Sequence, residues 1–452
     1  MGSEVLSAIA AAAKLAGRRG RVLLHSARDD DGLGAWSFAA AEPRATLIAR
    51  GRSLVELDAS GRPARRFSGD PFAAAEAFLR EHGCTLAGAL DHGAGAPEPR
   101  VIGYLGYDLS RALHRLPGGP ALGQDVPDLW LAAYDGVARW RERDPDPDAG
   151  FELVGPDPSR LARALAESTA ALGVPPHLGD FAADDDGAHH MARVERVRDY
   201  LAAGDAYQVN LARRLVAHVI APGDALALYA ALADVAPAPY GALIEADGVT
   251  VISGSPERLL ASIGGGRVET RPIKGTRPRA ADDPRAAGEL AASAKDAAEH
   301  LMIVDLERND LGRVAEIGSV RVDALGYVVE LPALYHKVSR VSAAPRAGTG
   351  YAELLAALFP GGSITGAPKQ RAMEIIDELE PARRGPYCGA LGYFAPTGCD
   401  LAIAIRIGVL KGDELRVHVG GGIVADSEPA AELAETEAKA AGWRAALARL
   451  AR

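Results

Sequence analysis

Apolar and polar positions along the chain fall into two periods. Alternating or short continuous apolar runs predict strands at Tyr207–Val219, Gly241–Glu245, Thr250–Ile252, Arg258–Ile263 and Ser319–Leu325. Further strands are expected at Tyr327–Glu330, Val338–Val341, Gly389–Phe394, Leu401–Lys411 and Leu415–Val419. Three-to-four spacing predicts helices at His189–Ala203, Ala294–Asn309, Tyr351–Leu358, Pro368–Glu380 and Glu428–Leu450. Residues 1–140 carry shorter runs, such as Arg21–His25 and Val101–Tyr107, cut by Gly and Pro, with a helix near Pro71–His82. The segment 141–187 mixes Asp, Pro and Gly around one helical stretch, Ser159–Leu172, and reads as a connector to a third part, 188–452. Runs of neighbouring strands with grouped helices favour a layered α+β fold over regular βαβ alternation.

Two of the predicted helices carry acidic pairs at i, i+3: Asp296 with Glu299, and Glu432 with Glu435. Residues three apart share a helix face, so each pair can aim two carboxylates at one spot. Together the two faces would gather up to four, and the mutual repulsion suits a hard divalent cation such as Mg²⁺, which takes oxygen ligands. Plainer readings exist. Ser293 can cap the first helix with Asp296 as its capping-box partner. Glu435 and Lys439 fit an i, i+4 surface pair. Glu299 has no such local role, because the apolar run Leu301–Leu306 follows it.

Composition narrows the function class. The 452 residues are 48% hydrophobic and 24% charged, with ample material for a core. A net charge of -10 argues against nucleic-acid binding and leaves an anionic small substrate dependent on local cations. The 3 cysteines are widely spread, which suggests a reducing cytoplasm rather than a disulfide framework or zinc site. No apolar run reaches membrane-spanning length, and the Ala-rich stretch Val5–Leu15 has its arginines, Arg18 and Arg19, on the wrong side for a secretory signal.

The neighbours of the acidic pairs carry a resemblance. The segments Tyr207-Gln-Val-Asn-Leu-Ala, Gly254-Ser-Pro-Glu-Arg, Arg271-Pro-Ile-Lys-Gly-Thr, Lys295-Asp-Ala-Ala-Glu-His-Leu-Met-Ile-Val-Asp-Leu, Gly361-Gly-Ser-Ile-Thr-Gly-Ala-Pro-Lys and Gly420-Gly-Gly-Ile-Val-Ala-Asp-Ser occur in this order. Together they resemble the chorismate-utilising enzyme family over about residues 188–450. Leu24-His-Ser and Gly103-Tyr-Leu-Gly-Tyr-Asp are similar to its N-terminal part. The resemblance implies an α/β sandwich: two large, mainly antiparallel sheets packed together with helices outside. It implies Mg²⁺ held by Glu299, Glu432 and Glu435, and Asp296 at the position of a general acid. It places Arg406, Tyr387 and the backbone of Gly420, Gly421 and Gly422 around the enolpyruvyl carboxylate. Lys439 falls near the metal-bound carboxylate, and Ser363 and Thr365 fall at the ring hydroxyls. His336 falls near the C4 hydroxyl, though a lone histidine also fits a structural role.

Two positions select a branch of that family. Members that add water at C2 have a lysine where this chain has Gln208, and Gln cannot deprotonate water. Lys274 stands where anthranilate-forming members have Ala and aminodeoxychorismate-forming members have Lys. A lysine amine attacking C2 and later displaced by ammonia at C4 is coherent chemistry. The expectation is therefore conversion of chorismate and ammonia to 4-amino-4-deoxychorismate. No glutaminase signature is visible, so ammonia is expected from a separate glutamine amidotransferase subunit. The alternatives are an anthranilate-forming enzyme and a non-catalytic chorismate- or amino-acid-binding subunit. Ser26, Pro239, Tyr240 and Gly241 match the family's tryptophan-type effector pocket.

Overall fold

The computed structural model describes residues 6–28, 32–91, 95–119, 125–142, 150–169, 171–279, 285–330 and 334–451. Residues 143–149 and 170 of the 141–187 segment, and Val5 of the Ala-rich stretch, lie outside the described residues.

Among the described residues the strands form two twelve-stranded sheets. The first runs through Gln208–Ala221, Glu414–Ile423, Ile407–Lys411, Val249–Ser255 and Tyr240–Ala246, then into Val22–His25, Trp36–Ala40 and Val137–Arg141. The second runs through Ile273–Pro278, Leu334–Ala343, Arg267–Arg271, Arg258–Gly264, Gly398–Ile403 and Ala390–Ala395, then into Val101–Leu105, Leu129–Ala133 and Ala45–Arg50. The pairings that join early and late strands are antiparallel: Val22 opposite Ile244, and Val101 opposite Phe394. Residues 1–140 and 188–452 thus share both sheets, and 141–187 separates them only along the chain. That segment contributes the short strands Glu152–Val154, His177–Leu178 and Ala182–Ala183, and the helix Ser159–Glu167.

The period-2 pattern explains the layers. Val22 and Leu24 join Phe38, Leu47, Ile102 and Tyr104 in the core between the sheets, while Leu23 turns to the other side. There it meets a helical layer made by Ala8–Lys14, Ala225–Val235 and Pro429–Leu450, with Trp443 fully buried. The helices Pro71–Glu81, Ala294–Gly312, Tyr351–Leu358 and Lys369–Leu379 add Phe72, Val304, Leu355 and Ile376 to the first core. Among the described residues, no helix is long and apolar enough to cross a membrane.

One predicted strand divides. Leu401–Lys411 is in fact Gly398–Ile403 in the second sheet and Ile407–Lys411 in the first. Arg406 therefore lies in the crossing between the sheets, with φ 53. Continuous apolarity is the same whether a strand continues or changes sheet, so the pattern carried no sign of the break.

Arg384 ties this framework together. It donates to both oxygens of Glu380, to Ile364 O at 2.9 Å and to Asn210 O at 2.6 Å, with its side chain 1% exposed. Its guanidinium also lies over the rings of Tyr107 and Tyr387. Arg384→Ala leaves the Glu380 carboxylate in the interior with no cation and only the Ala212 N–H, at 2.8 Å, to meet its charge, so we expect a loss of about 3–5 kcal/mol, read as a lower urea midpoint. An unchanged midpoint contradicts that account.

Candidate active site

The site forms where the ends of both sheets meet two helix starts. In the first sheet, Asn210 pairs with Gly422 and Leu211 with Gly421, while Gln208 pairs with Ala367. Backbone register alone thus brings Gln208, the glycine run and the 363–367 loop together. From the second sheet Lys274 reaches across, its Nζ 3.4 Å from Gln208 Oε1 and 3.0 Å from Glu299 Oε2.

The glycines serve space rather than a turn. Gly420–Gly422 continue the strand Glu414–Ile423. A Cβ on Gly422 would stand 2.9 Å from Lys274 Nζ and 3.0 Å from the Gln208 amide carbon. On Gly421 it would stand 3.1 Å from Glu432 Oε2 and 3.4 Å from Glu435 Oε1. Any side chain there would displace the polar groups that converge on this patch of backbone.

The helix Ala294–Gly312 starts at Ser293, whose hydroxyl accepts from Asp296 N at 3.2 Å. Asp296 is engaged by Arg277 at 2.6 Å. The helix Pro429–Leu450 has Pro at its first position and puts Glu432, Glu435 and Lys439 on one face. Lys439 Nζ is 2.6 Å from Glu435 Oε1 and donates to Gly420 O at 2.6 Å. Lys295 bridges to Asp426 at 3.1 Å, joining the two helix starts. Glu432 Oε1 accepts from Ser427 Oγ at 2.6 Å, and its Oε2 is buried without a hydrogen-bond partner.

The acids differ in proton affinity. Burial, with the Glu435 charge adding to it, raises the pKa of Glu432. Burial also works to raise Glu435, but Lys439, Lys274 and Arg406 outweigh it and the net direction is down. Burial lowers the pKa of Lys439 despite Glu435.

The structure brings Glu432 and Glu435 together over Gly421, with Glu299 facing them from the other helix. Among the described residues, no three His, Cys, Asp or Glu side chains converge into one ligand set. Each expected metal ligand but Glu432 is turned to its own lysine. The donor set is all carboxylate oxygen, and Glu432 Oε2 is a buried oxygen with nothing to bond, so the residues fit a hard divalent cation.

Of the remaining expected residues, Tyr387 and His336 are linked to the site through the charge of Arg406, and the effector residues lie elsewhere. Arg406 is nearly buried, donates to Lys439 O at 3.3 Å and feels Tyr387 and Glu435; burial lowers its pKa. Tyr387 stacks on His418 with ring centroids 5.3 Å apart. His336 hydrogen-bonds Thr276 Oγ1 at 2.9 Å, and burial, reinforced by Arg406 and Arg28, pushes its pKa down to about 4. It is a neutral imidazole at physiological pH. Thr365 spends its hydroxyl proton on Gly361 O at 3.0 Å. Pro239, Tyr240 and Gly241 line a separate cavity of about 260 Å³ between the sheets. Tyr240 OH accepts there from Arg258 at 2.8 Å. Ser26 lies at its edge, beside Gly34, and faces a second cavity.

Two further residues belong to the site. Glu257 is fully enclosed, accepts from Ile273 N at 3.2 Å and lies beside Ser363, Lys274 and Lys439. Burial pushes its pKa up to about 7 despite those partners. Asn210 stands two positions from Gln208, on the same strand face, with its Nδ2 buried and unpartnered. Both lie inside motifs that the sequence displays. Period-2 alternation was the available sign for Asn210; burial, visible only in three dimensions, singles out Glu257.

A family profile described as chorismate binding enzyme matches residues 26–444. The chain belongs to the chorismate-binding enzyme family. An aminodeoxychorismate synthase component 1 from Klebsiella aerogenes is 39% identical over 433 residues, covering 92% of this chain and 91% of that protein. An anthranilate synthase component 1 from Haloarcula marismortui is 41% identical over 362 residues, 74% of this chain and 73% of that one. The crystal structure of anthranilate synthase component I from Streptococcus pneumoniae superposes with a TM-score of 0.75 at 28% identity, over 90% of this chain and 92% of that one. The family's two-sheet sandwich is the architecture described above.

Glu257 ionises at about pH 7 in the folded protein but near 4.5 when unfolded. Unfolding therefore releases its proton between those values, and stability falls as the pH rises through that window, by on the order of 3 kcal/mol. Glu257→Gln carries no such group. Its stability relative to the parent should climb from pH 4.5 to 7 and level off above, in urea titrations; a flat difference contradicts the raised pKa.

Proposed function

We propose that the chain is the chorismate-converting component of an aminodeoxychorismate synthase, making 4-amino-4-deoxychorismate from chorismate and ammonia. The observation that carries this reading is the position of Lys274, whose amine stands among Gln208, Glu299 and the Gly422 backbone. Gln208 at the adjoining position has no basicity with which to activate water.

Arg406, Tyr387 and the Gly420–Gly422 backbone hold the enolpyruvyl carboxylate, supplying the cation that an acidic protein otherwise lacks. Glu299, Glu432 and Glu435 would hold Mg²⁺, which when bound would supply positive charge to neutralise the ring carboxylate of the substrate. Lys274, as the free amine, attacks C2 while the ring double bond shifts and the C4 hydroxyl leaves. Glu257, protonated near neutrality, gives that hydroxyl its proton, and water departs. Ammonia then attacks C4, the double bond shifts back, and Lys274 leaves C2 as the amine. Glu257 recovers its proton from the new ammonium. His336, neutral and held by Thr276, orients rather than protonates, and Asp296, paired with Arg277, positions the helix start.

The same reading draws ammonia from a glutamine amidotransferase subunit. It assigns the cavity at Pro239–Gly241 to a tryptophan-type ligand, with Arg258 and Tyr240 as its polar floor. The buried free cysteines suit a reducing cytoplasm. Similarity to anthranilate synthases favours one other reading, nitrogen at C2 with loss of pyruvate.

Purified protein with chorismate, Mg²⁺ and excess ammonium, without partner, should yield a non-aromatic amino product that keeps the enolpyruvyl group. An added lyase should convert it to 4-aminobenzoate. Fluorescent anthranilate would move the assignment to the other reading, and binding without turnover would leave a non-catalytic subunit. Lys274→Ala should lower kcat about 10²–10⁴-fold with a much smaller change in KM, the behaviour of a group that acts in the transition state.

A further inference from the structure

Two lysines meet three glutamates at the catalytic end, and the pairing is uneven. Lys274 holds Glu299 at 3.0 Å, and Lys439 holds Glu435 at 2.6 Å. Lys274 also lies within the electrostatic reach of Glu432 and Glu435, so one ammonium addresses all three carboxylates. Its Nζ sits over Gly422, next to the stretch of backbone where Glu432 and Glu435 converge. The Lys274–Glu299 pair is largely enclosed, with 22% and 18% of the side chains exposed. An ion pair of that kind is screened less than a surface pair and is correspondingly harder to separate.

A divalent cation needs the same oxygens. Glu432 Oε2 is free for it, but Glu299 must be taken from Lys274 and Glu435 from Lys439. Cation and lysine cannot both hold one carboxylate oxygen at bonding distance, because like charges at that separation repel.

We propose that Lys274 is the competitor for the divalent-metal site, so that Mg²⁺ capture by Glu299 and release of the Lys274 amine from Glu299 are one exchange. The exchange gives the reaction an order. While Lys274 is paired with Glu299 at 3.0 Å, its Nζ is engaged by that carboxylate. Once Glu299 turns to the metal, the hydrogen-bonding contact left to Lys274 is Gln208 at 3.4 Å, a neutral partner. Metal loading and the freeing of Lys274 from its ion pair are then linked through Glu299. The same competition makes the protein a weaker Mg²⁺ binder than its carboxylates alone would be. This inference rests on the metal reading proposed above.

The test is Mg²⁺ binding to chelator-treated full-length protein, without chorismate, by titration calorimetry and by the shift of the thermal midpoint on adding MgCl₂. Lys274→Met keeps the aliphatic stem and removes the charge. It should bind Mg²⁺ about tenfold more tightly than the parent, and its thermal midpoint should rise more on adding metal. Lys274→Arg keeps a cation and should not tighten binding. Lys274→Gln carries the test should the Met variant fail to fold by circular dichroism. Unchanged or weaker binding in the neutral variants overturns the proposal, as does equal tightening by Lys274→Arg. Glu432→Gln separates the two levels. Loss of Mg²⁺ binding there upholds the metal site even where the competition fails, whereas unchanged binding removes the site and the competition together.

Discussion

Carboxylates brought into one corner repel, and most of the catalytic end is arranged by how that charge is met. Four elements supply the answer. The strand Ile273–Pro278 of the second sheet sends Lys274 to Glu299 and Arg277 to Asp296. The C-terminal helix sends Lys439 to its own Glu435 and to Gly420 O on the first sheet. Lys295 joins the starts of the two acidic helices through Asp426. Both sheets and both helices are therefore fastened through charges that double as chemistry. Glu432, held only by Ser427 on one oxygen, is where the compensation stops.

Beneath this charged layer the positions are set by backbone. Arg384 fixes Asn210 O and Ile364 O to one rigid fork, so the strand bearing Gln208 and the turn bearing Ser363 and Thr365 move as one body. The positive φ of Arg406 belongs to the same logic. A non-glycine residue in that region carries strain, and it occurs where the chain leaves one sheet for the other and must aim a guanidinium at the same time.

Much of this was legible in the sequence, for local reasons. The acidic helices, their Ser293 cap and the Pro429 start follow from side-chain chemistry within a few residues, and the structure places them within a turn of the expected limits. Ordered motifs then marked nearly every residue that surrounds Lys274. What could not be read is non-local. The reason for the glycines at 420–422 is one such case, because only the partner across the sheet shows that they are a strand stripped of side chains beside Lys274, Glu432 and Glu435. The split at Arg406 and the enclosure of Glu257 depend on which strand lies next to which. Ser26 and Pro239–Gly241 are near in space yet face different cavities, a distinction that proximity in a motif does not encode.

The sharing of both sheets between early and late parts of the chain has a consequence for synthesis. Val101–Leu105 lies between Leu129–Ala133 and Ala390–Ala395, and the latter is made about 290 residues after it (390 − 101). At ribosomal speeds that is a wait of roughly 15–60 s with one edge of an apolar strand unpaired. An unpaired, fully apolar edge is an aggregation template. The growing chain therefore carries that edge open through most of its synthesis, and the pairing that closes it comes only with the late strand Ala390–Ala395.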